Sequence, residues 1–174
     1  MLKQPFAVAL EAPHQATLVE ALNDRAFGPG RFAKTAHRLR EYRFGLPELS
    51  FVATDGELLC GSVRYWPVTI GGAPALLLGP LAVDPERRNQ GIGRALLAAS
   101  LERAAALGHC LVILVGDPPY YARAGFAPVP VGQVRLPGPV NPERILYREL
   151  VPGALETAKG EVKAAGASSY KMAA

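Results

Sequence analysis

Apolar residues recur three and four positions apart across residues 14–27, HQATLVEALNDRAF, and predict an amphipathic helix with Leu18, Leu22 and Phe27 on its inner face. Gly28-Pro29-Gly30 ends it. Phe32, Ala36 and Leu39 predict a second, basic helix over 32–42. The period then changes to two. Residues 48–54 read as a strand and Asp55-Gly56 as a hairpin turn. Residues 57–70 form a long strand on which Pro67 marks an edge or bulge. Gly71-Gly72 turns the chain into another strand over 74–83. A long helix over 91–107 follows, ended by Gly108 as its C-cap. The unbroken apolar run CLVILV, residues 110–115, fits a strand buried on both faces.

Beyond it, Pro118-Pro119 starts a short helix through Arg123 that Gly125 closes, and residues 145–150 read as a last strand. Residues 153–174 are small and polar without a core pattern, a tail loosely docked or frayed. An antiparallel meander leading into a strand–helix–strand unit predicts an α/β fold, a mixed sheet with helices on both faces.

The chain has 174 residues, 49% of them hydrophobic, which is enough for one domain with a real core, placed at residues 1–152. The net charge of +4 is a mild basic excess, gathered at Arg38/Arg40/Arg43 and Arg87/Arg88/Arg94. A small polyanion explains that charge as well as nucleic acid does, and no nucleic-acid partner is expected. Cys60 and Cys110 sit beside apolar residues and read as small core residues. His14, His37 and His109 are too scattered for a ligand set, so no metal is expected. The start lacks a signal-peptide pattern, and the longest apolar stretch, 73–83, is too short to span a bilayer. A cytoplasmic protein without a membrane partner is the expectation.

The chemistry concentrates at 87-RRNQGIGRALL-97, between a strand and the long helix. A Walker A loop fails, because no glycine is followed by Lys-Ser or Lys-Thr. A dinucleotide fingerprint fits poorly, since Leu96 stands where a third glycine belongs. Backbone N–H groups at a helix start carry partial positive charge suited to a pyrophosphate. Glycines at 91 and 93 remove the Cβ atoms that would hold it away. In the preceding strand, Gly79-Pro80 is awkward for a central position, and a β-bulge there resolves it.

The pattern R-x-x-G-x-G, read as Arg88-Asn89-Gln90-Gly91-Ile92-Gly93, resembles the acyl-CoA loop of the GNAT superfamily of N-acetyltransferases. Downstream, 114-LVGDPPYYARAGF-126 is similar to that family's Y-x-x-x-G-F pattern, its tyrosine falling on Tyr121. The order of elements over about residues 5–150 matches the same core. The resemblance implies a sheet splayed at the central bulge, with the pantetheine arm of acetyl-CoA against Leu81, Ala82 and Val83. It places the pyrophosphate at Arg88 to Arg94 and makes Tyr121 the acid that protonates the leaving thiolate. Tyr120 packs or lines the acceptor pocket. The segments VTIGG and LVPGAL look most like a branch of small-molecule acetyltransferases, so the expected activity is direct acetyl transfer to a primary amine in a ternary complex. The resemblance allows a homodimer. The alternative is a non-catalytic acyl-CoA-binding regulatory module.

Many of these enzymes carry a carboxylate base on the strand entering the bulge; here residues 73–83 have no Asp, Glu or His. A water chain to Glu57, Asp117 or bulk solvent, or an amine of low pKa, are the options left. Phe27, Phe32, Tyr65 and Trp66 either wall the acceptor pocket or pack the core. Arg64 either binds an acidic group or is an exposed strand arginine. An amino acid, a polyamine, an antibiotic and a protein lysine all fit as acceptor at this level.

Overall fold

The period-two stretches pair in the order their turns dictate. A computed structural model describes residues 5–41 and 44–166. In it β1 (Ala7–Leu10), β2 (Phe51–Asp55), β3 (Leu58–Ile70) and β4 (Ala73–Val83) form an antiparallel meander, with α1 (Ala16–Phe27) between the first two. Gly71 and Gly72 both take positive φ, +54° and +89°, which makes the tight β3–β4 turn. After α2 (Ile92–Ala106), β5 (Leu111–Val115) runs parallel to β4. The remaining elements are α3 (Pro118–Ala122), β6 (Ala127–Pro128), β7 (Val134–Arg135), β8 (Ile145–Glu149) and β9 (Gly160–Ala164). The sheet order is β1-β2-β3-β4-β5-β8-β6, with β9 paired to β3 and β7. This is the mixed, mostly antiparallel sheet that the pattern predicts.

Side-chain alternation sends one set of sheet residues to each helix. Val63, Tyr65, Leu76 and Leu78 pack with Leu96, Leu97 and Leu101 of α2. On the other face, Val52, Leu59 and Ala82 meet Val19 and Leu22 of α1. Gly61 lets α2 approach β3 closely, because a Cβ there would lie 2.9 Å from a Leu96 methyl. The loop that starts α2 is therefore seated on the sheet.

The central bulge lies at Gly79-Pro80. Val63 pairs with Leu81 and Tyr65 with Leu78, so two β4 residues oppose Arg64 alone. The Gly79–Pro80 bond is cis. The Trp66 indole donates to the Gly79 carbonyl over 2.9 Å. The parallel β4–β5 ladder covers only Leu76–Val112 and Leu77–Ile113, and past Leu77 the strands part. The split between them opens toward the start of α2.

Three local expectations are corrected. The second helix is instead two 3-10 turns, Pro29–Ala33 and Thr35–Leu39, separated by an extended Lys34. Of its three expected inner residues only Leu39 is buried, while Phe32 is 52% exposed. A segment without a continuous apolar face has nothing to pack that would sustain an α-helix. Tyr42 and Arg43 lie outside the described residues. On α1 the buried positions are Val19, Leu22 and Asn23, with Leu18 half exposed and Phe27 at the open end. The strand expected at 48 starts at Phe51, since Pro47 seeds a 3-10 turn over Pro47–Leu49.

The segment expected as a tail, loosely docked or frayed, pairs into the sheet as far as it is described. β9 pairs with the end of β3, and Leu155, Ala158, Val162 and Ala165 are buried. Gly71 permits this, because any Cβ there would strike the Lys159 carbonyl. Residues 167–174 of that tail lie outside the described residues. Cys60 is buried, Cys110 half-buried, and both are free thiols. Among the described residues no helix is long and apolar enough to cross a membrane.

Candidate active site

The segment leaving β4 is braced before it reaches α2. The Asp84 N–H donates to the Cys60 carbonyl at 2.9 Å, and Asp84 Oδ1 accepts from the Glu86 N–H at 3.0 Å. Arg87 donates to Asp55 at 3.1 Å and to Gln90 Oε1 at 2.9 Å, pinning the loop to the β2–β3 turn. Its charge is thus partly committed inside the protein. Asn89 (φ +64°) and Gly91 (φ +82°) are both left-handed. Left-handed residues interleaved with others are the backbone arrangement that gathers successive N–H groups into an anion-binding concavity. The first turn of α2 adds its own unpaired N–H groups. No atom lies within 4 Å of a Cβ built at Gly91. At Gly93 the same Cβ would run into the Tyr120 hydroxyl, so that tyrosine fills the space the glycine leaves.

This loop borders a groove of about 1030 Å³. Of the residues predicted for cofactor binding, Leu81, Val83, Arg88, Asn89, Gly91, Ile92, Gly93 and Arg94 line it. Ala82 and Gln90 do not. The Ala82 side chain packs against α1, leaving only its backbone for a ligand, and the Gln90 side chain is held by Arg87. Sequence reasoning missed Arg123 and Arg148, which also line the groove. Arg123 lies inside the YYARAGF segment and carried a readable signal; Arg148 comes from β8 and carried none. Five arginines and no carboxylate line this groove, and the residues present fit a diphosphate-bearing ligand.

Tyr121 stands where this groove meets a second cavity of about 660 Å³. Phe27, Leu81 and Tyr121 line both. The Tyr121 ring packs over Gly116, where any Cβ would strike it, and edge-to-face on Phe126 at 5.8 Å and Tyr120 at 5.0 Å. Burial pushes the Tyr121 hydroxyl well above the usual tyrosine range; the Tyr120 hydroxyl adds to this, and Arg144 and Arg40 oppose it. Tyr121 therefore keeps its proton at neutral pH, which is what an acid must do. Tyr120 lines the groove and not the second cavity.

The second cavity lies in the split between β4 and β5, walled by the bulge, by Val115 to Asp117 and by the two 3-10 turns. Those turns are tied across it by Thr35 Oγ1 donating to the Pro139 carbonyl (2.5 Å) and Arg38 donating to the Pro137 carbonyl (2.8 Å). Arg40 lies at the bulge, its Nη2 3.2 Å from the site of a Gly79 Cβ. Burial, and then the charge of Arg31, lower its pKa to about 10, so it stays a cation at neutral pH. His37 packs edge-to-face on Phe32 at 5.1 Å, and burial followed by Arg40 pushes its pKa down. Asp117 is the one carboxylate of the cavity lining, whereas Glu57 lines neither space.

The expected acceptor walls divide. Phe27 lines both spaces and Phe32 neither. Tyr65 is a core residue hydrogen-bonded to Ser100 at 2.7 Å. Trp66 is buried and holds the bulge. Arg64 is engaged by Glu11 at 2.7 Å and Glu20 at 2.7 Å and lines neither space.

Residues 47–128 match the family model of the GNAT acetyltransferase domain. The N-acetyltransferase YhbS of Escherichia coli K12 is 38% identical over 122 residues, covering 68% of this chain and 72% of that one. YjhQ of the same organism, also an N-acetyltransferase, is 30% identical over 127 residues, covering 71% of this chain and 70% of that one. The crystal structure of E. coli YhbS in complex with CoA superposes with a TM-score of 0.80 at 31% identity, covering 94% of this chain and 91% of that one. A GNAT family acetyltransferase from Brucella melitensis in complex with acetyl-CoA gives 0.69 at 25% identity, covering 95% and 99%.

Proposed function

The chain belongs to the GNAT family of acetyltransferases, and from that premise we propose that it moves an acetyl group from acetyl-CoA to a primary amine of a small molecule, in the cytoplasm, by direct transfer. The observation that carries this reading is the joining of two cavities at Tyr121. One is edged by a glycine loop, helix start and arginines suited to the donor's phosphates. The other approaches Tyr121 from the side of the bulge and is free to take an acceptor. CoA bound in YhbS and acetyl-CoA bound in the Brucella protein support the choice of donor.

Bound acetyl-CoA supplies an activated thioester, whose acetyl group forms a C–N bond to the amine as its C–S bond breaks. Tyr121 donates its proton to the departing sulfur, a contribution of about 10²–10⁴-fold for a positioned acid. The nitrogen's surplus proton leaves to cavity water, within which His37 and Asp117 are the side chains able to accept it. The tyrosinate recovers a proton from solvent. The products are an N-acetyl amide and the thiol of CoA. No cysteine lines either cavity, and direct transfer needs no acyl-enzyme.

Calorimetric titration with acetyl-CoA, NADH and ATP in parallel tests the reading. Binding of acetyl-CoA alone, with a Kd of about 1–100 μM, supports it. Absence of acetyl-CoA binding to folded protein removes the donor assignment and every role that depends on it.

A further inference from the structure

The second cavity is far more positive than the chain as a whole. Arg31, Lys34, Arg38, Arg40 and Arg144 line it, against Asp117 alone. Arg31 is neutralised by Glu20 at 2.8 Å and Asp24 at 3.0 Å on α1. Among the described residues the others have no such partner. Arg38 and Arg144 donate only to backbone carbonyls, of Pro137 and Gly116, and the Lys34 ammonium lies over the Phe27 ring at 4.9 Å. Among the described residues no carboxylate lies within ion-pair distance of Arg40. The positions outside them, 1–4, 42–43 and 167–174, contain no Asp or Glu in the sequence.

Arg40 is also the cation set deepest beside the bulge. Its Nε is shielded from solvent and has no hydrogen-bond partner. A half-buried guanidinium whose Nε is shielded and unpartnered is costly to the fold, and the planar fork of donors it presents matches a carboxylate or phosphate. The groove's own cations, such as Arg88 and Arg94, are a separate set that shares no member with this one. The donor's phosphates therefore do not account for Arg40.

Resting on the acetyltransferase reading above, we propose that the second cavity takes a small acceptor carrying an acidic group a few bonds from its amine, an amino carboxylate or amino phosphate, and that Arg40 receives that group. Arg40 and Tyr121 line the same cavity, so the acidic group and the amine of one small molecule can be held at once. Polyamines and protein lysines, which bring positive charge without a nearby acid, are disfavoured by the same cations.

The test uses the full chain saturated with acetyl-CoA and reads thiol release with matched probes. These are the common L-amino acids, the same compounds as carboxamides, 2-aminoethyl phosphate, and spermidine. An acid-bearing probe is expected to exceed its uncharged counterpart by about 100-fold or more in kcat/KM, as a site built for a polar group rejects the analogue lacking it. Carboxylate against phosphate probes identify which acid is read. Arg40→Gln is expected to erase most of that preference through KM of the acceptor, with acetyl-CoA affinity unchanged. Arg40→Lys, which keeps the charge and loses the fork, should fall between.

Loss of this half-buried, unpaired cation should leave Tm unchanged or raise it by about 2–4 °C. Equal turnover of acids and carboxamides, preference for spermidine, or no turnover of any probe by protein that binds acetyl-CoA overturns the proposal. So does a selective loss of succinyl-CoA turnover in Arg40→Gln, which would make Arg40 a reader of the acyl chain. If acetyl-CoA itself does not bind, the parent reading fails and takes this one with it.

Discussion

The two cavities that meet at Tyr121 are built by opposite means. The proposed donor groove draws most of its anion site from one continuous stretch, β4 to the first turn of α2, and from backbone groups set by Asn89 and Gly91, with Arg123 and Arg148 added from elsewhere. The second cavity draws on four separated stretches of chain, from Phe27 to Arg144, and its rim is tied by hydrogen bonds between Thr35 or Arg38 and the chain about a hundred residues on. A backbone site is tolerant of side-chain change and recognises what every substrate pair shares. A side-chain site can be altered one residue at a time. On the proposed reading, such a fold can keep its donor site while its acceptor site changes.

The largest expected effect tests the backbone side. Gly91→Glu adds a left-handed strain and puts bulk and negative charge on an open face of the groove. Acetyl-CoA affinity by calorimetry should fall by about 100-fold or more, since the change repels the anion that helix start would hold. Retained affinity in a folded variant removes the loop assignment. Arg40→Gln should leave the same titration untouched, and a loss there would merge the two cavities into one site.

Next in size is the residue they share. Tyr121→Phe keeps the ring against Gly116 and Phe126 and deletes the proton. Its kcat should drop by about 10²–10³-fold with acetyl-CoA affinity intact, in keeping with loss of a general acid. A regulatory binding module would show no functional change.

How much of this could be read in the residues follows from the same contrast. Arg88 to Gly93 and Tyr121 to Phe126 are contiguous patterns, each tied to a local backbone need, and they name the groove and its tyrosine directly. The bulge was readable because Gly79-Pro80 breaks a strand rule. His37 and Arg40 share one 3-10 turn, but only tertiary structure brings Asp117 and Tyr121 beside them, and nothing in the sequence links that turn to the bulge. Of the two options open for Tyr65 and Trp66, core packing holds, since their strand turns them into the core and toward the bulge carbonyl. Polar composition hid β9, whose short alternation becomes a strand only beside β3.

A smaller effect concerns pH. Burial raises the pKa of both Tyr121 and Tyr65. An unfolded tyrosine ionises near pH ~10, so above that pH the unfolded chain releases protons the folded chain retains. Stability is full below pH ~10 and declines as pH rises beyond it. Urea midpoints at pH 8 and 10.5 should show the decline, and Tyr65→Phe should lessen it without touching acetyl-CoA affinity. An equal decline in that variant would mean Tyr65 is not a buried phenol.

The smallest effect separates two neighbouring arginines of the groove. Arg88 is exposed and makes no ion pair among the described residues, so it acts on a bound anion through solvent. Arg88→Gln should weaken acetyl-CoA by about 2- to 5-fold at low salt, the worth of one exposed charge, and the difference should vanish near 1 M salt. Arg87 instead ties the loop to Asp55 and Gln90. Arg87→Gln loosens the backbone that gathers the N–H groups, and its effect should persist at high salt because geometry is not screened. Calorimetry of both variants across salt checks this. Identical salt responses would mean that the loop binds by net charge alone, and the distinction between a backbone-built and a side-chain-built cavity would lose its footing.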